Sequence, residues 1–157
     1  MEKKDKTNAL RLLEKEKIVI EVIQYDSEIT DGKKIAEILG ENADVVFKTL
    51  VTISNSKEHF VFCIPVSQTL NLKKAAKAAG VKSIEMIPQK ELLPLTGYIH
   101  GGCSPVGMKT KFKTFIDETV ILWDQIYLSA GRVGMQMKIN VEDIINYVQM
   151  ETVDLIN

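Results

Sequence analysis

Four glycines and a proline crowd the stretch Gly97-Tyr98-Ile99-His100-Gly101-Gly102-Cys103-Ser104-Pro105-Val106-Gly107. Glycine reaches positive φ and lets a second backbone or a ligand come close, at an entropic cost. Proline stiffens such a stretch and removes one donor. The segment reads as a loop between packed strands, and two uses of it are open. It is either a tight connection or a cradle that holds several backbone N–H groups toward a bound carbonyl or phosphate. A second cluster follows in Ser129-Ala130-Gly131-Arg132-Val133-Gly134. Six of the 9 glycines lie between Gly97 and Gly134, so close backbone approach is concentrated in that half of the chain.

The remaining composition narrows the classes available. A chain of 157 residues, 45% hydrophobic and 26% charged, is expected to form one domain over residues 1–157. No apolar run approaches the ~20 residues of a membrane span, and Met1-Glu2-Lys3-Lys4-Asp5-Lys6 lacks the apolar core of a secretion signal. A cytoplasmic protein without membrane contact is the expectation. Two cysteines, Cys63 and Cys103, with two histidines and no paired short spacing, supply neither a disulfide framework nor a structural zinc site. Cys63, within Phe60-Val61-Phe62-Cys63-Ile64, reads as a small buried hydrophobe. A formal charge of −1 argues against a general duplex DNA binder. Any nucleic-acid contact is local, which suits an enzyme touching one end of an RNA.

Element signals mix helices and strands without βαβ alternation. Thr7 caps a first helix, Ile18–Ile23 is strand-like, and Asp31 opens a helix closed by Gly40. Val45–Ile53 and His59–Val66 read as long buried strands joined by a hairpin loop over Ser54–Lys57. Asn71 opens Leu72–Ala79, which Gly80 ends, and Pro88–Leu93 reads as another short helix. From Lys109 onward strand signals recur at Lys111–Ile116, Val120–Trp123, Gln125–Ser129 and Val133–Ile139 before a last helix capped by Asn140. This order predicts an α+β fold around a mixed or antiparallel sheet.

Several residues stand out as candidates for chemistry. Lys48 lies in Val45-Val46-Phe47-Lys48-Thr49-Leu50-Val51, a strand apolar on both faces. A buried unpaired ammonium is costly, so Lys48 is either an edge-strand lysine or the wall of a cavity that holds a phosphate, hydroxyl or carbonyl oxygen. Tyr25 is either a rim residue with a solvated hydroxyl or a hydrogen-bonding group at a pocket mouth. Arg132, between two glycines, either grips a phosphate or decorates a hairpin turn. His59 is expected to be exposed. Lysines 73, 74 and 77 and lysines 109, 111 and 113 form either solvated faces or a modest RNA footprint. Cys103 and His100 lie too close in one loop, without a third orienting group, to make a convincing nucleophile pair.

Five segments together resemble the YbaK-type family, the free-standing relatives of the editing domain of bacterial prolyl-tRNA synthetase. They are Phe47-Lys48-Thr49-Leu50-Val51, Asn71-Leu72-Lys73-Lys74-Ala75-Ala76, Thr96-Gly97-Tyr98, Gly101-Gly102-Cys103-Ser104-Pro105-Val106-Gly107 and Ile126-Tyr127-Leu128-Ser129-Ala130-Gly131. Each is weak alone; in this order they span nearly the whole chain. The resemblance implies a small α+β domain with a curved, mostly antiparallel, barrel-like mixed sheet flanked by helices. It implies a trans-acting deacylase that removes cysteine from mischarged tRNA(Pro) without metal or organic cofactor. Lys48 then becomes the key lysine, Gly101 and Gly102 open the Gly-x-x-x-Pro loop with Ser104 and Pro105, and Tyr25, Thr49, Ser129, Gly131 and Arg132 belong to the substrate side. It further implies that the substrate thiol attacks its own ester, so that no protein nucleophile is needed and Cys103 is incidental. The acceptor end of tRNA(Pro) is the implied partner, with prolyl-tRNA synthetase as a second one. One departure concerns the pocket: Asp31-Gly32 stands where many relatives carry an aromatic residue before the glycine. Deacylation of Ala-tRNA(Pro), and a non-catalytic tRNA- or synthetase-binding module, are the alternatives.

Overall fold

The computed structural model describes residues 6–157; most of the charged start discussed above falls on Met1–Asp5, outside these residues. The Thr7 hydroxyl accepts the Leu10 N–H at 3.1 Å and donates to the Ala130 carbonyl. It thereby caps α1 (Asn8–Lys15) and ties that helix to a distant strand. β1 (Ile20–Gln24) follows, and Asp31 then caps α2 (Gly32–Leu39), which Gly40 ends at φ 68°. β2 (Phe47–Ser54) and β3 (His59–Pro65) form the hairpin expected from the polar loop between them. Asn71 Oδ1 accepts the N–H groups of both Lys73 and Lys74 at 3.0 Å and starts α3 (Leu72–Ala79), closed by Gly80. β4 (Ile84–Met86) leads through a 3-10 turn into α4 (Leu92–Thr96). The chain ends with β5 (Lys113–Asp117), β6 (Gln125–Arg132), β7 (Met135–Asn140), α5 (Val141–Val148) and β8 (Glu151–Val153).

The strands form two sheets, one antiparallel in the order β1-β7-β6 and one mixed in the order β4-β2-β3-β5-β8. In the second, β5 runs parallel to both β3 and β8. A single parallel bridge, Val46 to Tyr127, links the sheets. The α+β class with mixed sheets agrees with expectation. The barrel does not: hydrogen bonding between the sheets is limited to that bridge among the described residues, so the ladder stays open. Leu13, Ile126, Leu128, Met137, Ile139 and Ile144 are fully buried between the antiparallel sheet, α1 and α5. Phe62 stacks on Phe115 at 5.2 Å between the mixed sheet and α3, whose Ala75 and Ala76 let the helix come close.

Four local expectations change. Val120–Trp123 is not a strand: Val120–Leu122 belongs to a 3-10 turn (Glu118–Leu122) that Trp123 caps. The buried Asp117 carboxylate accepts from Thr119 N–H, Thr119 hydroxyl and Leu155 N–H, and this local capping outweighs β propensity. The first glycine-rich loop leaves a helix, because Gly97 at φ 85° ends α4. β8, three residues long, is too short to show a pattern. His59 is half-buried and packs on Phe112 with ring centroids 5.5 Å apart.

Candidate functional site

Between the Val46 bridge and the pairing of Thr52–Ser54 with β4, β2 has a strand partner on one edge only, β3. A cleft of about 160 Å³ opens where the two sheets part, with Lys48, Thr49 and Leu50 of β2 on one wall. Lys48 thus lies on the cleft wall where β2 has a free edge, so the edge-strand and the cavity-wall descriptions both fit its position. It is half-buried, and burial lowers its pKa from the usual 10.5. Repulsion by Lys33 adds to that lowering, and Asp31 opposes it. Thr49 lies beside Cys63, its Oγ1 3.6 Å from Sγ, within the lining.

The glycine loop supplies the facing wall through His100, Gly101 and Cys103. Gly101 has φ 86°, and a Cβ there would sit 2.8 Å from Thr30 Cγ2, so only glycine brings the loop this near the entry to α2. A Cβ on Gly102 would lie 2.8 Å from Val133 N and 3.0 Å from Arg132 C. The two glycine clusters therefore meet backbone to backbone. The Gly102 N–H donates to the Ile99 carbonyl at 2.9 Å, within the loop itself. Gly102 shapes the loop, while Gly101 faces the cleft.

Of the other predicted residues, Ser129 lines the cleft. Its hydroxyl oxygen accepts the Gly131 N–H at 3.2 Å, which leaves the hydroxyl hydrogen free to donate. Gly131 lies behind it at φ 101°, inside the register shift between Ser129 and Arg132, against Tyr98 and Thr7. Arg132 is exposed and outside the lining. Ser104 is fully buried and accepts the Val106 N–H, so it holds the loop's own turn. Pro105 borders a separate depression beside Phe112 and Tyr147. Tyr25 is half-buried behind the cleft wall, its N–H donating to Gly134 O and its hydroxyl beside Gln136; burial raises the phenol pKa.

Sequence reading missed Thr30, Gly32, Ile35, Val66, Leu92 and Gln136 as lining residues. The first three surround the Asp31 departure, so the structure places that departure at the cleft. Gln136 carries one faint signal, a neutral polar side chain between Met135 and Met137 in a strand. Cys103 is nearly buried, and its thiol is pushed up to about 12, first by burial and then by Cys63. It is a neutral thiol at ordinary pH, unlike an activated nucleophile. Among the described residues no group of three or more His, Cys, Asp or Glu side chains is placed to hold a metal ion.

A lysine wall, hydroxyls of Thr49 and Ser129, and a glycine loop, without a carboxylate in the lining, define a site suited to a ligand rich in oxygen acceptors. Residues 26–147 match the family model described as the aminoacyl-tRNA editing domain, and the chain belongs to that family. It is 41% identical over 143 residues to EbsC of Enterococcus faecalis, assigned as a Cys-tRNA(Pro)/Cys-tRNA(Cys) deacylase, covering 90% of this chain and 87% of that protein. Two solved structures share the fold at low identity. One, assigned as a trans-editing enzyme for prolyl-tRNA synthetase, is 20% identical with a TM-score of 0.80 over 88% of this chain and 87% of its own. The other, the hypothetical protein APE2540, is 18% identical with a TM-score of 0.88 over 96% and 100%.

Proposed function

We propose that the chain acts as one editing domain that cleaves the ester of cysteine mischarged on tRNA(Pro), acting in trans on the acceptor end. The observation that carries this reading is the position of Lys48: it lines one cleft with Gly101 and Ser129 in a chain 41% identical to a protein assigned that activity. An aminoacyl ester is already activated, so positioning and polarisation of its carbonyl supply much of the acceleration. The Lys48 ammonium anchors the sugar or phosphate of the terminal adenosine. Ser129 donates to a substrate oxygen, and the backbone at Gly101 lies against the ester.

Attack then comes from the substrate. Its thiol sulfur forms a bond to the ester carbonyl carbon, the bond to the ribose oxygen breaks, and the thiol proton ends on that oxygen. The amino acid leaves as a cyclic thiolactone. Proline has no thiol and is spared. The neutral Cys103 thiol supports a scheme without a protein nucleophile.

Prolyl-tRNA synthetase supplies the choice of tRNA in this reading, because a chain of net charge −1 carries little general attraction for RNA. Release of labelled cysteine from Cys-tRNA(Pro), lost in Lys48→Ala, is the expected result. Release of alanine in place of cysteine would move the preference to the pocket shaped by Asp31. Binding without cleavage of any ester would favour a binding module.

A further inference from the structure

Gln136 is 5% exposed, lines the cleft, and leaves its Oε1 without a hydrogen-bond partner. An unpaired buried amide oxygen is costly, and such groups in native proteins call for a reason. The Tyr25 hydroxyl, beside Gln136, is also buried and unpartnered. The Gln136 oxygen can only accept, whereas the phenol can donate or accept yet bonds to neither group of the amide. Elsewhere the lining offers no carboxylate to an N–H group: it presents the Lys48 ammonium, the Ser129 hydroxyl with its oxygen occupied by Gly131, and the Thr49 hydroxyl beside Cys63. The lining thus holds donors at Lys48 and Ser129, and an unmet acceptor at Gln136, which pairs with Ser129 across β6 and β7. An aminoacyl ester carries both kinds of group: ester and ribose oxygens that accept, and one α-amino group that donates.

We propose that Gln136 is a specificity-determining residue whose Oε1 accepts a hydrogen bond from the α-amino group of the aminoacyl ester. The inference rests on the deacylase reading. The α-amino N–H donates whether the amine is charged or neutral. The bond fixes which way the side chain of the amino acid, and hence its thiol, points toward the carbonyl. Tyr25 backs Gln136 and limits the rotation of its amide.

The test compares two esters of tRNA(Pro), cysteinyl and 3-mercaptopropionyl. The second keeps the thiol and lacks only the α-amino group. Native protein is expected to prefer the cysteinyl ester by about tenfold in kcat/KM, as one buried hydrogen bond allows. Gln136→Met, close in shape and apolar, is expected to abolish that preference by slowing the cysteinyl ester alone. Gln136→Glu, which keeps an acceptor, is expected to retain it. Equal slowing of both esters by Gln136→Met would assign the residue to packing against Tyr25 and overturn the proposal, as would no change in either. Native protein that cleaves neither ester would overturn the deacylase reading and this assignment with it.

Discussion

Lys48 is the lysine of the cleft, and the fold perturbs its ionisation. Burial and Lys33 push its pKa below 10.5, while Asp31 works in the opposite direction. The sign follows: the folded state holds the proton less well than the unfolded chain. Folding is therefore penalised at pH below the lowered value, and the penalty is relieved as pH rises through it toward 10.5. Anchoring of an adenosine oxygen by the ammonium is lost over the same alkaline range. Titration of the Lys48 side chain by NMR is expected to give a midpoint below 10.5. Lys33→Gln should raise that midpoint and Asp31→Asn should lower it. A midpoint at 10.5, unmoved by either substitution, would contradict this description of the cleft. The Lys48 motif was legible in sequence because a charge between apolar strand neighbours is conspicuous. Gln136 was not, because a neutral amide between methionines gives no hint of what its oxygen lacks.

At the scale of elements, the close contact between the two glycine clusters sets the loop on the cleft. Gly102 packs on the backbone of Arg132 and Val133, atoms that cannot move aside as a flexible side chain would. Gly102→Ala is expected to cost about 1–3 kcal/mol, as overpacking does, and to lower Tm by several degrees in a domain of this size. Thermal unfolding of that variant checks it; an unchanged Tm would mean that the clusters do not need this contact. The clustering of glycines was visible in the sequence, yet not which glycine faces another backbone and which faces a ligand. That division depends on a distant pairing, β6 against the loop, which no local pattern encodes. Caps were the most legible elements, since Thr7, Asp31, Asn71 and Asn140 each accept a helix N–H from their own side chains. The turn at Glu118–Leu122 misled because the Asp117 carboxylate that organises it also binds Leu155, remote in sequence.

For the whole molecule, the open arrangement of two sheets joined at Val46 makes the cleft a consequence of topology: β2 loses its second neighbour over Phe47–Leu50. The fold class was readable from element order, whereas the split into two sheets was not, because sheet closure depends on pairings between segments far apart. A net charge of −1 predicts weak binding of tRNA alone with a shallow salt dependence. The slope of log K against log salt should be about −2 to −3 rather than the steep values of proteins with many phosphate contacts. Tight, tRNA(Pro)-selective binding by the isolated protein at physiological salt would contradict it. The central claim is the cleavage itself. Cysteine, alanine and proline release should be followed from the three esters of tRNA(Pro), with native protein and Lys48→Ala side by side. The expected result is rapid loss of cysteine alone, reduced about a hundredfold or more by Lys48→Ala, the scale of a single lost electrostatic contact. Cysteinyl ester left intact by well-folded native protein, or cleaved equally by Lys48→Ala, would contradict it.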